Sequence, residues 1–166
     1  MDTLKNYLPV CWFKGNTLEL KRSIEFFKHN VVFYFFVEFF LQANMTDDPV
    51  ESFYEVSFET LLTVLFIWVM LALNRTLYTF VQICTAVLFC SNAASCVLIP
   101  VLVWLTISEN TISYYLVGLI VIWDYAMTTY VFKQVLMLNL AASAVVSLFY
   151  AGFTYFGAYT LGQLVQ

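Results

Sequence analysis

Two carboxylates stand where carboxylates are costly: Glu38, within Val37-Glu38-Phe39, and Asp124, within Trp123-Asp124-Tyr125. Both are embedded in apolar runs, where an acid either packs against protein or is used to bind something. Glu38 lies ten positions after Lys28, and Asp124 nine before Lys133. At about 1.5 Å per helical residue, both sit about 13–15 Å from a basic boundary, near the midplane of a bilayer. Two acids at one depth can share a proton or bind a cation, as in ion-coupled carriers. Gln82 and Asn92, part of a polar stripe with Ser91 and Ser95, complete the candidate intramembrane polar site. The competing reading is structural, with each acid protonated and hydrogen-bonded to Tyr, Asn, Gln or Ser. It gains weight because no intramembrane Lys, Arg or His offers a relay and no broken helix pair marks a midplane site.

Other chemistry is poorly represented. His29, beside Lys28, reads as an interfacial polar anchor rather than a catalytic or metal group. Cys11, Cys84, Cys90 and Cys96 form neither a CxxC nor a Cys/His cluster, so no metal site or disulfide framework is expected. The chain has no GxSxG, P-loop, GxGxxG or HExxH, which argues against an enzyme and against a bound cofactor. Asn44-Met45-Thr46 matches a glycosylation sequon, but the pattern is common by chance and hugs the membrane.

The elements that must position these groups are membrane helices. Of 166 residues, 62% are hydrophobic, 19% aromatic and 11% charged, and the mean hydropathy is +0.82. A globular chain carries roughly a quarter charged residues. The composition therefore predicts an all-α integral membrane protein, a bundle of five transmembrane helices after a short amphipathic interfacial helix. No basic run is dense enough to follow a nucleic-acid backbone.

Residues 1–29 read as a cytoplasmic or interfacial segment, and 30–166 as the transmembrane domain. Within the first, 1–16 is expected to touch the membrane surface, with Tyr7 and Trp12 in the headgroup layer. Asn16 and Glu19 resemble a helix start, and Leu20, Ile24 and Phe27 oppose Lys21, Arg22, Glu25 and Lys28 over 17–28. The spans fall at about 30–43, 58–73, 77–105, 111–132 and 138–164. The first is short unless it borrows Ile24–Phe27. An acidic loop over 44–59 carries Asp47, Asp48, Glu51, Glu55 and Glu59 without a basic residue. Pro100 should kink the third span near its outer end. The fifth carries a small-residue seam of Ala144, Ser147, Ala151, Gly152, Ala158 and Gly162, a face that lets helices approach closely inside the bundle or against a partner. Five crossings from a cytoplasmic N-terminus put all seven Lys and Arg inside and the acidic loop and Glu109 outside, as the positive-inside rule requires. The C-terminus then ends outside.

Several parts in this order carry a likeness. A Trp12-Phe13-Lys14-Gly15-Asn16 region leads into five closely spaced spans, and the second runs from Ile67-Trp68 to Asn74-Arg75. Gln82 stands near the start of the third span and Pro100 near its end, Trp123 lies in the fourth, and the fifth is rich in small residues. Over residues 10–164 the chain resembles the Yip (Rab-GTPase-interacting) five-span superfamily, in its compact bacterial form. That resemblance implies a five-helix protein with a cytoplasmic N-terminus and no catalytic residues. It does not imply GTPase binding, because the long cytoplasmic region that eukaryotic members use for partners is nearly missing here.

The leading expectation is a non-enzymatic membrane protein, a scaffold or small subunit of a larger assembly. Its partners would be the lipid bilayer and other membrane subunits or further copies of itself. The alternative is a small ion- or proton-coupled transporter or channel using Glu38 and Asp124. A weaker third is a lipid-handling protein presenting Phe33, Tyr34, Phe35, Phe36, Phe39 and Phe40 to lipid. Compactness and the resemblance suggest a bacterial inner membrane.

Overall fold

The computed structural model describes residues 2–46, 48–108 and 110–165. Asp47 and Glu109, both assigned above to the outer side, lie outside the described residues. The described residues are helical apart from short connections. A single turn and a half, α1 (Asp2–Tyr7), passes into a 3-10 turn over Leu8–Trp12, and a second 3-10 turn covers Thr17–Glu19. The long helices follow: α2 (Ile24–Ala43), α3 (Pro49–Leu73), α4 (Phe80–Ser108) and α5 (Thr111–Leu136). The last helical run is broken by a π-helical turn, Gly152–Phe156, into α6 (Leu140–Ala151) and α7 (Gly157–Val165).

Four helical runs are long and apolar enough to cross a membrane: Pro49–Leu73, Leu77–Ser108, Thr111–Leu136 and Leu140–Val165. The fifth long helix, α2, has 20 residues, about 30 Å of rise, and includes Glu25, Lys28 and Glu38. It packs between α3 and α4. Packing then runs from α4 to α5, from α5 to α6, and from α7 back to α3, so the helices close a ring. Between apolar helices in lipid, close packing rather than water release holds such a ring together. Ile67, Leu71, Ile83, Val87, Met127, Val131 and Phe132 are wholly buried inside it.

Polar side chains start α2, α3, α5 and α6 by taking up free N–H groups. Ser23 accepts from the Phe26 amide at 3.2 Å, Asn110 from Ile112 at 3.1 Å and Asn139 from Ala142 at 2.8 Å. Asp48 accepts from Val50 at 2.8 Å, with Pro49 at the first helical position, where its missing N–H costs nothing. This start corrects the expected acidic loop: most of 44–59 is the first part of α3, nine residues ahead of the span expected at 58. Glu51, Glu55 and Glu59 consequently fall four apart on one helix face.

The N-terminal segment also differs from expectation. The helix proposed over 17–28 does not form as one piece. Asn16 does cap a turn, accepting from Leu18 at 3.1 Å and donating to Glu19 at 2.9 Å. That turn ends at Leu20, whose ψ of 141° is extended, and helix resumes only after Ser23. Ile24–Phe27 do join the helix that carries the short apolar run from 30 onward. Tyr7 is not exposed either. Its side chain, with Val10 and Cys11, is buried in the same core cluster as α4 and α5. Burial pushes the Tyr7 phenol from 10.0 up to about 12, so it keeps its proton and donates to the Lys21 carbonyl at 3.1 Å. Helix α4 continues through Pro100 to Ser108.

Part of the small-residue seam faces inward. Ser147, Ala158 and Gly162 are buried, and the Ala144 carbonyl accepts from Tyr125 of α5 at 2.6 Å. A Cβ on Gly162 would stand 2.8 Å from Cγ of Glu55, whereas one on Gly118 or Gly152 would meet nothing within 4 Å. Gly162→Ala is therefore expected to cost about 1–3 kcal/mol, the usual price of overpacking. Gly118→Ala should stabilise by about 0.5–1 kcal/mol through helix propensity. Thermal unfolding of the two variants in the same detergent measures both.

Candidate functional site

Helix α4 is the bridge that brings Glu38 and Asp124 together. Ser91 and Ser95 are one helical turn apart and so share a face. Ser95 donates to Glu38 Oε1 on α2 at 2.9 Å, and Ser91 donates to Asp124 Oδ1 on α5 at 3.2 Å. Both acids are half-buried and line one cavity of about 100 Å³, with Ser91, Ser95, Ile120 and Tyr155. At about 30 Å³ of liquid volume per water, that space holds about three waters or one small cation. The lining offers carboxylate and hydroxyl oxygens, the donor set that suits protons and hard cations.

Tyr155 reaches this cavity from the π-helical turn. Such turns insert one extra residue into a helix and recur at functional sites. Here Thr154 stabilises the widened turn by donating to the Tyr150 carbonyl at 2.9 Å and the Ala151 carbonyl at 3.3 Å. The turn sits in the span whose small residues give its backbone room to deform.

A second set of acids continues from this cavity along α3. Glu59 is buried and accepts from the Tyr34 hydroxyl at 2.6 Å. Glu55, also buried, accepts from Gln42 at 2.5 Å. At the end of the bundle, Glu51 accepts from Gln163 at 2.7 Å. Glu51, Glu55, Glu59, Glu38 and Asp124 thus descend from the Asp48 end to the middle of the ring, each held by a neutral donor. A buried carboxylate without a cationic partner is costly to ionise, and a proton or a small cation relieves that cost.

Glu55, Glu59, Tyr34 and Tyr155 were missed in the sequence as site residues. The spacing Glu51–Glu55–Glu59 behind Asp48-Pro49 was the available signal, since a helix beginning there puts all three on one face. Tyr34 had no such signal, and neither did the π-helical turn that aims Tyr155. Gln82 and Asn92 do other work. Gln82 donates to the Leu20 carbonyl at 2.7 Å near the start of α4. Asn92 donates to Asn30 Oδ1 at 2.6 Å, joining α4 to α2 away from the cavity lining. His29 is exposed, with Nδ1 at 2.8 Å from the Glu25 carbonyl. Among the described residues, no group of three or more His, Cys, Asp or Glu is arranged to hold a metal ion.

Tyr34→Phe tests the grip on Glu59. Losing the hydroxyl leaves a buried carboxyl without its donor, at an expected cost of about 1–3 kcal/mol. Thermal unfolding should show the loss, and Tyr54→Phe, at an exposed ring, should show none.

Comparison of the chain with family models, curated proteins and solved structures finds no match.

Proposed function

We propose that the chain is a small proton- or cation-coupled membrane carrier in which Glu38 and Asp124 form the ion-binding pair. The observation that carries the reading is their shared cavity, hung from Ser95 and Ser91. Glu51, Glu55 and Glu59 supply the approach, a line of oxygens leading from one end of the bundle towards the pair. In this reading α2 is a fifth crossing, the N-terminus is cytoplasmic and the C-terminus lies outside. Supporting that orientation, Lys21, Arg22, Lys28, Arg75 and Lys133 cluster at the end opposite Asp48 and Glu51. The proposal extends to a Yip-like five-span bundle in a bacterial inner membrane, on the order and closeness of its long helices.

The test is flux through purified protein in liposomes carrying a pH-sensitive dye, under a proton gradient with and without Na⁺ or K⁺. Gradient decay above that of empty liposomes is the expected result. Decay equal to that of empty liposomes under every gradient would sink the reading.

A scaffold or small-subunit role is the second reading. It is favoured by an exposed apolar groove on α6 formed by Leu148, Phe149, Gly152 and Phe153, beside the outward part of the small-residue seam. Mass measurement in native membranes separates the two: a lone monomer with no partner counts against the scaffold.

A further inference from the structure

A 3-10 turn, Leu8–Trp12, and the irregular chain after it pack against α4 and α5. Cys90 lies ten residues into α4 from Phe80, about 15 Å along the helix, and Cys11 Sγ is 3.9 Å from Cys90 Sγ. The Cys11 carbonyl accepts from the Trp123 indole at 3.1 Å, one residue from Asp124. Cys11 therefore lies at about the depth of the ion pair. Protein buries three of residues 8–17, Val10, Cys11 and Thr17, to 1% exposure or less, while the other seven stay exposed.

What holds the segment is a set of side chains reaching for its backbone. Tyr130 and Gln134 donate to the Gly15 carbonyl at 2.8 and 2.9 Å, and the Thr17 amide donates to Gln134 Oε1 at 2.7 Å. Trp12 lies over Trp123 with ring centroids 5.9 Å apart, and Phe13 meets Tyr130 edge-on at 5.7 Å. Phe13 and Gly15 take φ of 57° and 89°, left-handed values that turn the chain back towards the membrane boundary. Buried Thr17 Oγ1 has no hydrogen-bond partner. The segment is thus docked through tertiary contacts, with extended residues around Leu20–Ser23 linking it to α2. A piece docked in this way can leave as a unit without unwinding a spanning helix.

We propose that Leu8–Thr17 is the inner gate of the carrier: docked, it closes the cytoplasmic side of the Glu38–Asp124 cavity, and undocking opens that side. This rests on the carrier reading of the site. It makes the route asymmetric, with acids leading in from the Asp48 end and a removable plug at the other.

The Cys11–Cys90 pair supplies the test. In reconstituted Cys84→Ala/Cys96→Ser protein, copper(II) phenanthroline oxidises the two thiols to a disulfide. Two electrons pass to two copper(II) ions and two protons to solvent, and the product pins the plug to α4. Flux is expected to fall to the level of empty liposomes on oxidation and to return when dithiothreitol reduces the bond. Cys11→Ala in the same background should be insensitive to the oxidant. Unchanged flux with the disulfide shown by mass spectrometry would overturn the gate and leave the carrier standing. Failure of the disulfide to form would overturn the docking on which the gate depends. Absence of flux in the reduced protein would instead overturn the carrier reading, and the gate with it.

Discussion

Replacing Glu38 with Gln and Asp124 with Asn together is expected to abolish ion-driven flux while the bundle stays folded. Each amide has nearly the shape of the acid it replaces and can still accept from Ser95 or Ser91, so the 2.9 and 3.2 Å contacts survive. What is lost is the capacity to exchange a proton for a cation. Each single change leaves one acid facing the cavity and should slow flux by about tenfold or more, about 1.4 kcal/mol for each factor of ten. Stability should move the other way or not at all, because a neutral amide removes the desolvation cost attached to a buried carboxylate. Flux and thermal unfolding measured on the same preparations separate these effects. A double variant that carries ions at the wild-type rate would contradict the assignment of the pair.

The second large effect concerns the π-helical turn. Deleting Gly152 should let Gly152–Phe156 relax towards ordinary helix, because a π turn accommodates one extra residue. The contact between α7 and α3, with Gly162 against Glu55, lies beyond the turn and keeps its register. Tyr155 lies inside the turn itself, where the change from π to α geometry shifts its side chain relative to the cavity lining. Flux should fall about tenfold or more while helix content and detergent behaviour are retained. Tyr155→Phe, which keeps the ring and removes only the hydroxyl, should fall between the wild type and the deletion. Equal flux in the deletion variant would mean that Tyr155 takes no part.

Much of this arrangement was legible from residue type and spacing. Asp124 and Glu38 stood out because each is a charge inside an apolar run, and counting from Lys28 and Lys133 put them at one depth. Ser91 and Ser95 were visible as part of a polar stripe, although not as the pair that hangs both acids on one helix. The acidic loop was misread because its charges suggested solvent, while Asp48-Pro49 was a helix start and the four-residue spacing of its glutamates was helical. The packing of the N-terminal segment left no comparable mark. Tyr7, Trp12 and Lys14 have the composition of an interfacial segment, and composition cannot say that Tyr130, Gln134 and Trp123 reach for its carbonyls. Those contacts join residues more than a hundred positions apart, beyond the range of any local pattern. The π-helical turn depends on packing rather than on propensity and left no mark that periodicity could reveal.

The most direct measurement is infrared difference spectroscopy of the carboxyl groups when Na⁺ or K⁺ is added to the reconstituted protein. Wild type, Glu38→Gln and Asp124→Asn should be compared in H₂O and D₂O. The expected result is a cation-sensitive carboxyl band that each single substitution alters, because two acids around one cavity of about 100 Å³ respond as a pair. A carboxyl spectrum that ignores the cation, or one that neither substitution changes, would contradict the claim that Glu38 and Asp124 form a shared ion site.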